Sequence, residues 1–471
     1  MAGLSKKYSL PLFALLAALS FALRVYKINQ SLWYDEIYMV FNFLSQPWQD
    51  VFWNFSRPNN HILYTLLAKL SANKFGLKEW SLRLPSLVLG AFIPPACYAL
   101  YRKRLGDFTS FLAALFLALN FWSVWFGQDA RGYSGLILFS MLSQLLFLEL
   151  LQERKIHKVI FYILSCMIAS YFHLYMLFII AGHIIYSFLG FARQKYFAKT
   201  AGETTSAMSF IIPCLALALS ISPYLLLLNQ MNAYFGGVSH VIEGRWLDLA
   251  FLKDAVRLFS GSHILWVGGL FLVVFIPGAV RLYKADRGVF WIYVIPAALI
   301  ITSTFILHIF IYARFLSFAM PFFCLGLALG IDSISEWAGA RLKWLKKQYS
   351  SAALGALAAA VLLASLSRYY QLGKQDYKDA AAYAKTHYPY QAVLAFGMGC
   401  DAFQYYFEDT ELAGNFAILT PEKLRGRLVV ASFPGNWPDK QRKILFSSCK
   451  IEKAWLSAAG KEQDIYLFKC G

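Results

Sequence analysis

The stretch "SLWYDEIYMV", residues 31–40, sets two adjacent carboxylates, Asp35 and Glu36, among Trp33, Tyr34 and Tyr38. Further along, "GQDARGY" brings Asp129 and Arg131 next to Tyr133, "SYFHLY" carries His173, and "IYARF" carries Arg314. "SRPNNH" holds Arg57 and His61, and Arg83 opens the apolar run "RLPSLVLG". A carboxylate placed against a hydroxyl can take its proton as that hydroxyl attacks. Arginine holds a phosphate through two parallel N–H donors. Together these residue types fit group transfer from a phosphate-linked donor. Blander roles stay open for each. Asp35 and Glu36 also read as a solvated pair or as partners of a helix N-terminus. Asp129 reads as a cap or a partner of Arg131. Arg131 and Arg314 read as interfacial anchors that reach toward the headgroups. His61, His173, Arg57 and Arg83 read as structural polar groups. Trp33, Tyr34, Trp48, Trp53, Trp122 and Trp125 read first as an interfacial aromatic belt.

The elements that must position these residues are membrane spans. The chain is 59% hydrophobic and 15% charged, with a mean hydropathy of +0.51, and runs of about 20 apolar residues, enough to cross a bilayer, recur along most of it. This excludes an ordinary soluble domain. The formal charge of +18 invites a nucleic-acid reading, but the basic residues fall in short clusters between apolar runs, as in cytoplasmic loops. The partner they imply is the bilayer, and no nucleic acid is expected.

Those clusters define a path. Lys6 and Lys7 hold the N-terminus inside, and the first apolar run, which resembles a signal peptide without a clean cleavage site, reads as an uncleaved helix. Arg102, Lys103 and Arg104 require a return span, met by "LRLPSLVLGAFIPPACYALY". "HILYTLLAKLSANKFG", interrupted by Lys69 and Lys74, then reads as a helix lying at the outer surface. Residues 27–82 become one large external loop that contains Asp35 and Glu36. Alternation continues through a span over 108–126, another over 133–151, two within 158–192, and spans over 206–228, 264–281, 289–310, 314–332 and 351–367. The expectation is about eleven helices, with Asp129, His173 and Arg314 all at the outer face. Charged groups at a membrane boundary are functional candidates by default.

Residues 1–367 are therefore expected to form a polytopic helical domain, and residues 368–471 a small extracytoplasmic α/β domain. In the latter, "QDYKDAAAYAKTHY" has helical periodicity, "PEKLRG" suggests a short helix, and "QAVLAFG", "RLVVASF" and "DIYLFKC" read as strands. The tail reads as structural support or an acceptor contact. Of seven cysteines, Cys97, Cys166, Cys214 and Cys324 read as packing residues, while Cys400, Cys449 and Cys470 leave a disulfide open. A transporter or lipid flippase would predict mid-span charges and paired broken helices. A polymerase or ligase using a lipid-diphosphate glycan would place basic residues in a late external loop, where Arg245, Lys253 and Arg257 stand.

In ordered blocks over about residues 8–335, the chain resembles the polyprenyl-phosphate-sugar-dependent glycosyltransferases of the GT-C superfamily. The nearest groups are bacterial relatives of protein O-mannosyltransferase and of the lipid A aminoarabinose transferase. The blocks are "SLWYDEIYMV", "NNHILYTLLAKLSANKFGLKEWSLRLPSLVLG", "QDARGYSG", "SYFHLY" and "YARFLSFAMPFFCLGLALGI". The resemblance implies transfer of a monosaccharide from a polyprenyl-phosphate donor to a hydroxyl of a lipid, glycan or protein acceptor, with inversion, at the extracytoplasmic face of the cytoplasmic membrane. It implies Asp35 as base, Glu36 as supporting acid, and Asp129 as an acid that orients the acceptor or a metal. Arg131 and Arg314 would lie near the donor phosphate, with Arg57 or His61 standing in for a lysine that relatives carry before Pro-Pro. His173, Arg83 and Tyr133 would contact substrate. A divalent metal stays open, since two separated acids do not define a site.

Overall fold

The computed structural model describes residues 6–54, 59–197, 207–238, 247–307, 311–342, 344, 346–397, 399–408, 410–413 and 419–471. The chain packs as two compact units. One comprises Met1–Tyr26, Val51–Ser71 and Arg83–Leu366, and the other Lys27–Asp50, Ala72–Leu82 and Ser367–Gly471. The acidic stretch near residue 35 thus clusters with the tail rather than with the helices.

The first unit is helical. Among the described residues, seven helices are long and apolar enough to cross a membrane. A bent pair, Asp107–Leu119 and Phe121–Gly127, makes an eighth if counted as one span, and Ser9–Val25, Ile156–Phe172 and Met176–Ala192 are shorter apolar helices. The run 158–192 divides at His173, as its length requires. The run expected as one continuous span over 108–126 is broken by 64°. Asn120 is the cause. Its backbone leaves the helical region, and its side chain accepts the Trp122 and Ser123 N–H groups at 2.9 and 3.3 Å, starting a new helix. Its amide donates onward to the Leu258 and Phe259 carbonyls at the end of the helix Leu249–Ser260. That end is closed by Gly261 at φ +63°, where an added Cβ would also strike Asn120.

In lipid no solvent drives helices together, so small residues that permit backbone contact take that role. A Cβ on Gly278 would lie 1.7 Å from the Gly326 carbonyl oxygen, and one on Gly330 would lie 1.9 Å from that of Val274. These glycines set the contact between the helices Leu265–Ala285 and Met320–Arg341.

The second unit contains a five-stranded mixed sheet. Its strands are β1 (Val393–Phe396), β2 (Thr410–Ala413), β3 (Leu428–Ser432), β4 (Cys449–Trp455) and β5 (Ile465–Cys470), in the order β2-β1-β3-β5-β4. β1 runs parallel to β2 and β3, and β5 is antiparallel to β3 and β4. β1 and β3 are buried throughout, which is why they read as unbroken apolar runs. β4 lies at an edge with mostly exposed, charged residues, so its strand signal is weak. Phe396, Val429, Trp437, Leu445 and Phe468 form the core. Cys449 pairs with Cys470 across β4 and β5, and Cys400 is free.

Candidate active site

The acidic pair sits at the start of the short helix Tyr34–Met39, where carboxylates favour the positive end of the helix dipole. Glu36 reaches back to the Trp33 N–H at 3.1 Å and caps its own helix. Its other oxygen lies 3.5 Å from Lys374 Nζ, and both side chains are 0% exposed. The next residue of the tail, Gln375, accepts the Tyr34 N–H at 3.1 Å. Tyr406 accepts the Leu32 N–H at 2.9 Å, Ser31 accepts the Lys378 N–H at 3.2 Å, and Phe433 packs edge-on against Tyr34 at 5.5 Å. Glu36 is thereby committed to capping and ion pairing. Asp35 lies beside it, buried, within electrostatic reach of Tyr377. The helix runs on into a π-helical segment, Val40–Leu44, a distortion frequent near functional sites.

The first unit gathers the basic candidates. The tight turn after Phe121–Gly127 holds Asp129 and Arg131, both buried, with the Arg131 N–H donating to the Asp129 carbonyl at 2.7 Å. Arg131 donates from its guanidinium to the Asn59 side chain at 3.1 Å. His61 Nδ1 lies 2.7 Å from the Phe172 carbonyl, an acceptor only, so Nδ1 carries the proton and Nε2 the lone pair. Nε2 is buried without a hydrogen-bond partner among the described residues. His173 is oriented the opposite way, its Nδ1 accepting the Tyr175 N–H at 3.3 Å. The two imidazoles stand 4.8 Å apart by ring centroid, with Tyr133 at 5.7 Å from His61 and 5.1 Å from His173. Phe315 flanks His173 at 6.0 Å and stacks on Tyr175 at 4.4 Å. Arg314, half-buried, lies over the Tyr312 ring at 4.4 Å.

Burial, followed by the charge of Arg131, holds His61 well below the ordinary histidine value; His173 and Arg314 push the same way, against the Phe172 hydrogen bond. Burial and then Arg131 and Arg314 hold His173 down at about 3. The cluster is thus two guanidiniums and two neutral imidazoles in an aromatic setting. Close approach is possible because Gly132 has no side chain. A Cβ there would lie 2.0 Å from the Phe172 oxygen and 2.8 Å from His61 Nδ1.

Arg131, Arg314, His61, His173 and Tyr133 therefore come together. Arg83 is fully buried on the helix Glu79–Leu105 but is not among the charges acting on the two histidines. Arg57 and Arg245 lie outside the described residues. Arg257 faces Asp254 at 3.5 Å. Among the described residues, no three His, Cys, Asp or Glu side chains stand close enough together to hold a metal ion.

Two features escape sequence reasoning. Lys374 and Gln375 fall in a polar linker, and nothing local marks them as partners of a segment more than 300 positions earlier. Arg24 ends an apolar run and reads as an ordinary boundary cation. It is fully buried, donating to Ser20 and Ser123 hydroxyls at 2.7 and 2.8 Å. Gly90 and Gly127 leave it room, and Gln128 donates to the Arg24 and Tyr26 carbonyls. Arg24 thus ties the first helix to the turn that bears Arg131.

Residues 57–220 match the family model of dolichyl-phosphate-mannose-protein mannosyltransferases. No curated protein matches the chain. Among solved structures, ArnT from Cupriavidus metallidurans bound to undecaprenyl phosphate is similar at a TM-score of 0.57 and 11% identity, over 99% of this chain and 98% of that one. The Archaeoglobus fulgidus oligosaccharyltransferase tethered with an acceptor peptide is similar at 0.53 and 11% identity, over 99% and 74%. The archaeal oligosaccharyltransferase AglB in complex with an inhibitory peptide and a dolichol-phosphate is similar at 0.51 and 12% identity, over 91% and 70%. The chain is a multi-pass membrane protein with the GT-C fold, shared with ArnT and the archaeal oligosaccharyltransferase, and a small strand-containing domain at its C-terminus.

Proposed function

We propose that this protein is a membrane glycosyltransferase that moves a monosaccharide from a polyprenyl-phosphate donor to a hydroxyl acceptor at the extracytoplasmic face. The observation that carries the reading is the basic cluster: Arg131 and Arg314 share one aromatic-lined, largely buried setting with His61, His173 and Tyr133. Two guanidiniums held in low dielectric suit an anionic group that arrives with a lipid tail. The match of ArnT bound to undecaprenyl phosphate supports a lipid-linked donor. The disulfide between Cys449 and Cys470 supports an oxidising, extracytoplasmic location for the tail.

In this reading the acceptor hydroxyl attacks the anomeric carbon in a single displacement, inverting it, while Asp35 accepts its proton. Glu36, already engaged by Lys374 and the Trp33 N–H, holds the helix in place rather than taking part in proton transfer. Arg131 and Arg314 stabilise the charge that develops on the departing phosphate, Tyr133 and His173 contact the donor, and Asp129 orients the acceptor. Asp35→Asn, assayed on purified protein with polyprenyl-phosphate sugars, is expected to abolish transfer while donor binding persists. Full activity in that variant would overturn the assignment of the base. Undiminished donor binding in Arg131→Ala/Arg314→Ala would overturn the phosphate site.

A further inference from the structure

Resting on that reading of the basic cluster, we infer that His61 and His173 are specificity-determining residues that together read one hydroxyl of the donor sugar, His61 Nε2 accepting from its O–H and His173 Nε2–H donating to its oxygen.

The backbone fixes what each imidazole presents. Both rings are neutral, buried beside two guanidiniums. A neutral imidazole has one N–H and one lone pair, so the partner of Nδ1 decides the role of Nε2. His61 Nδ1 lies 2.7 Å from the Phe172 carbonyl oxygen, so Nδ1 donates and Nε2 holds the lone pair. His173 Nδ1 accepts the Tyr175 N–H at 3.3 Å, so its Nε2 carries the proton. The rings stand 4.8 Å apart, yet the buried His61 Nε2 takes no hydrogen bond from His173 or from any other described residue. A buried acceptor in that position costs free energy until a ligand brings it a donor. Gly132, with no room for a Cβ against His61 Nδ1 or the Phe172 oxygen, packs the turn that carries Arg131 directly onto this contact.

Phosphate does not meet that need. Its ester oxygens are acceptors and would face a lone pair at His61 Nε2, so the phosphate belongs to the guanidiniums of Arg131 and Arg314. His61 is therefore no substitute for a phosphate-binding lysine. The same two arginines are the formal charges that act on both imidazoles, so a group attached to the held phosphate comes within reach of Nε2. In a glycosyl phosphate that group is the sugar. An ammonium on the sugar would give His61 a donor, but it offers His173 no acceptor and adds a third cation. A hydroxyl serves both rings, because its O–H donates while its oxygen accepts. Tyr133, 5.7 and 5.1 Å from the two rings by centroid, and Phe315, 6.0 Å from His173, wall the pair with aromatic surface. The donor this chemistry fits is a neutral sugar with a free hydroxyl close to its anomeric phosphate.

The test is equilibrium binding to the full-length protein in detergent. The probes are a short-chain polyprenyl methyl phosphate, which has no sugar, the matching mannosyl, glucosyl and galactosyl phosphates, their monodeoxy analogues, and analogues with one hydroxyl replaced by an ammonium. The wild type should bind at least one neutral glycosyl diester about ten- to a hundredfold more tightly than the methyl diester, the scale set by pairing a buried polar atom. Removing one particular hydroxyl, or replacing it by an ammonium, should abolish that gain. His61→Asn retains a donor for the Phe172 carbonyl, and His173→Asn retains an acceptor for the Tyr175 N–H. Each variant should lose the gain yet bind the methyl diester like the wild type, which also shows that it is folded. Three results refute the hydroxyl reading and leave the phosphate site standing: a wild type that binds the methyl diester as tightly as every glycosyl diester, an ammonium analogue preferred over its neutral parent, or variants that keep the gain. Equal weakening of methyl and glycosyl diesters in the variants refutes it too, since the histidines would then serve the phosphate or the fold. Failure of the wild type to bind any diester removes both the hydroxyl reading and the phosphate site.

Discussion

Lys374→Met removes one half of a fully buried ion pair in the second unit. In the wild type Glu36 and Lys374 face each other at 3.5 Å with no exposed side-chain surface on either. Methionine fills much the same volume but removes the cation, leaving a carboxylate in a dry setting. Breaking a buried pair from one side costs about 3–5 kcal/mol. At about 1.4 kcal/mol per decade, this is a hundredfold to several-thousandfold rise in the population of locally open states. Hydrogen exchange read by mass spectrometry should show it as faster exchange in peptides spanning 32–44 and 372–380, while peptides from the helix Leu265–Ala285 serve as an internal control. Adding Glu36→Gln should restore most of the protection, because glutamine at that position still accepts the Trp33 N–H and a neutral pair carries no unpaired ion. Wild-type exchange in Lys374→Met, or a double variant no better protected than the single, would refute the claim that this pair secures the acidic helix to the tail.

Other expectations follow from the same geometry. Gly132→Ala must displace the Phe172 carbonyl; overpacking of this kind costs roughly 1–3 kcal/mol, and polyprenyl-phosphate binding should weaken about tenfold or more. Gly269→Ala, where nothing lies within 4 Å, should leave it unchanged. Replacing both Cys449 and Cys470 by serine opens a link of sequence separation 21. The tail should lose about 3 kcal/mol, read as faster exchange in β4 and β5, and reductant should reproduce the loss in the wild type. His173 binds a proton once unfolded, near 6.5, but in the fold only near 3. Its contribution is therefore whole above pH 6.5 and declines as pH falls, by roughly 2 kcal/mol at pH 5. Thermal melts should show a shallower acid loss in His173→Asn than in the wild type.

The helical architecture was legible because hydrophobic runs and basic clusters are local signals. A bilayer demands about 20 apolar residues per crossing, and each expected span holds a helix or, at Asn120, a bent pair. The bend itself was not legible, since Asn120 acts through carbonyls that lie some 140 positions away. In the tail, the buried strands β1, β3 and β5 announced themselves by apolar runs, while edge strand β4, with its alternating charges, did not.

For the candidate site the division falls at the same place. Residue types and their order named Asp35, Glu36, Asp129, Arg131, His61, His173 and Arg314, because carboxylates and guanidiniums at membrane boundaries are conspicuous in so apolar a chain. Which of them meet is a matter of long-range packing. Only the folded chain joins His61 to His173 and both to two arginines, turns one imidazole against the other through the Phe172 carbonyl and the Tyr175 N–H, and commits Glu36 to Lys374. Sequence alone determined the ingredients, since ionisation and hydrophobicity belong to single residues. Tertiary structure decided the protonation and pairing, since these depend on distance and burial between residues far apart in the chain.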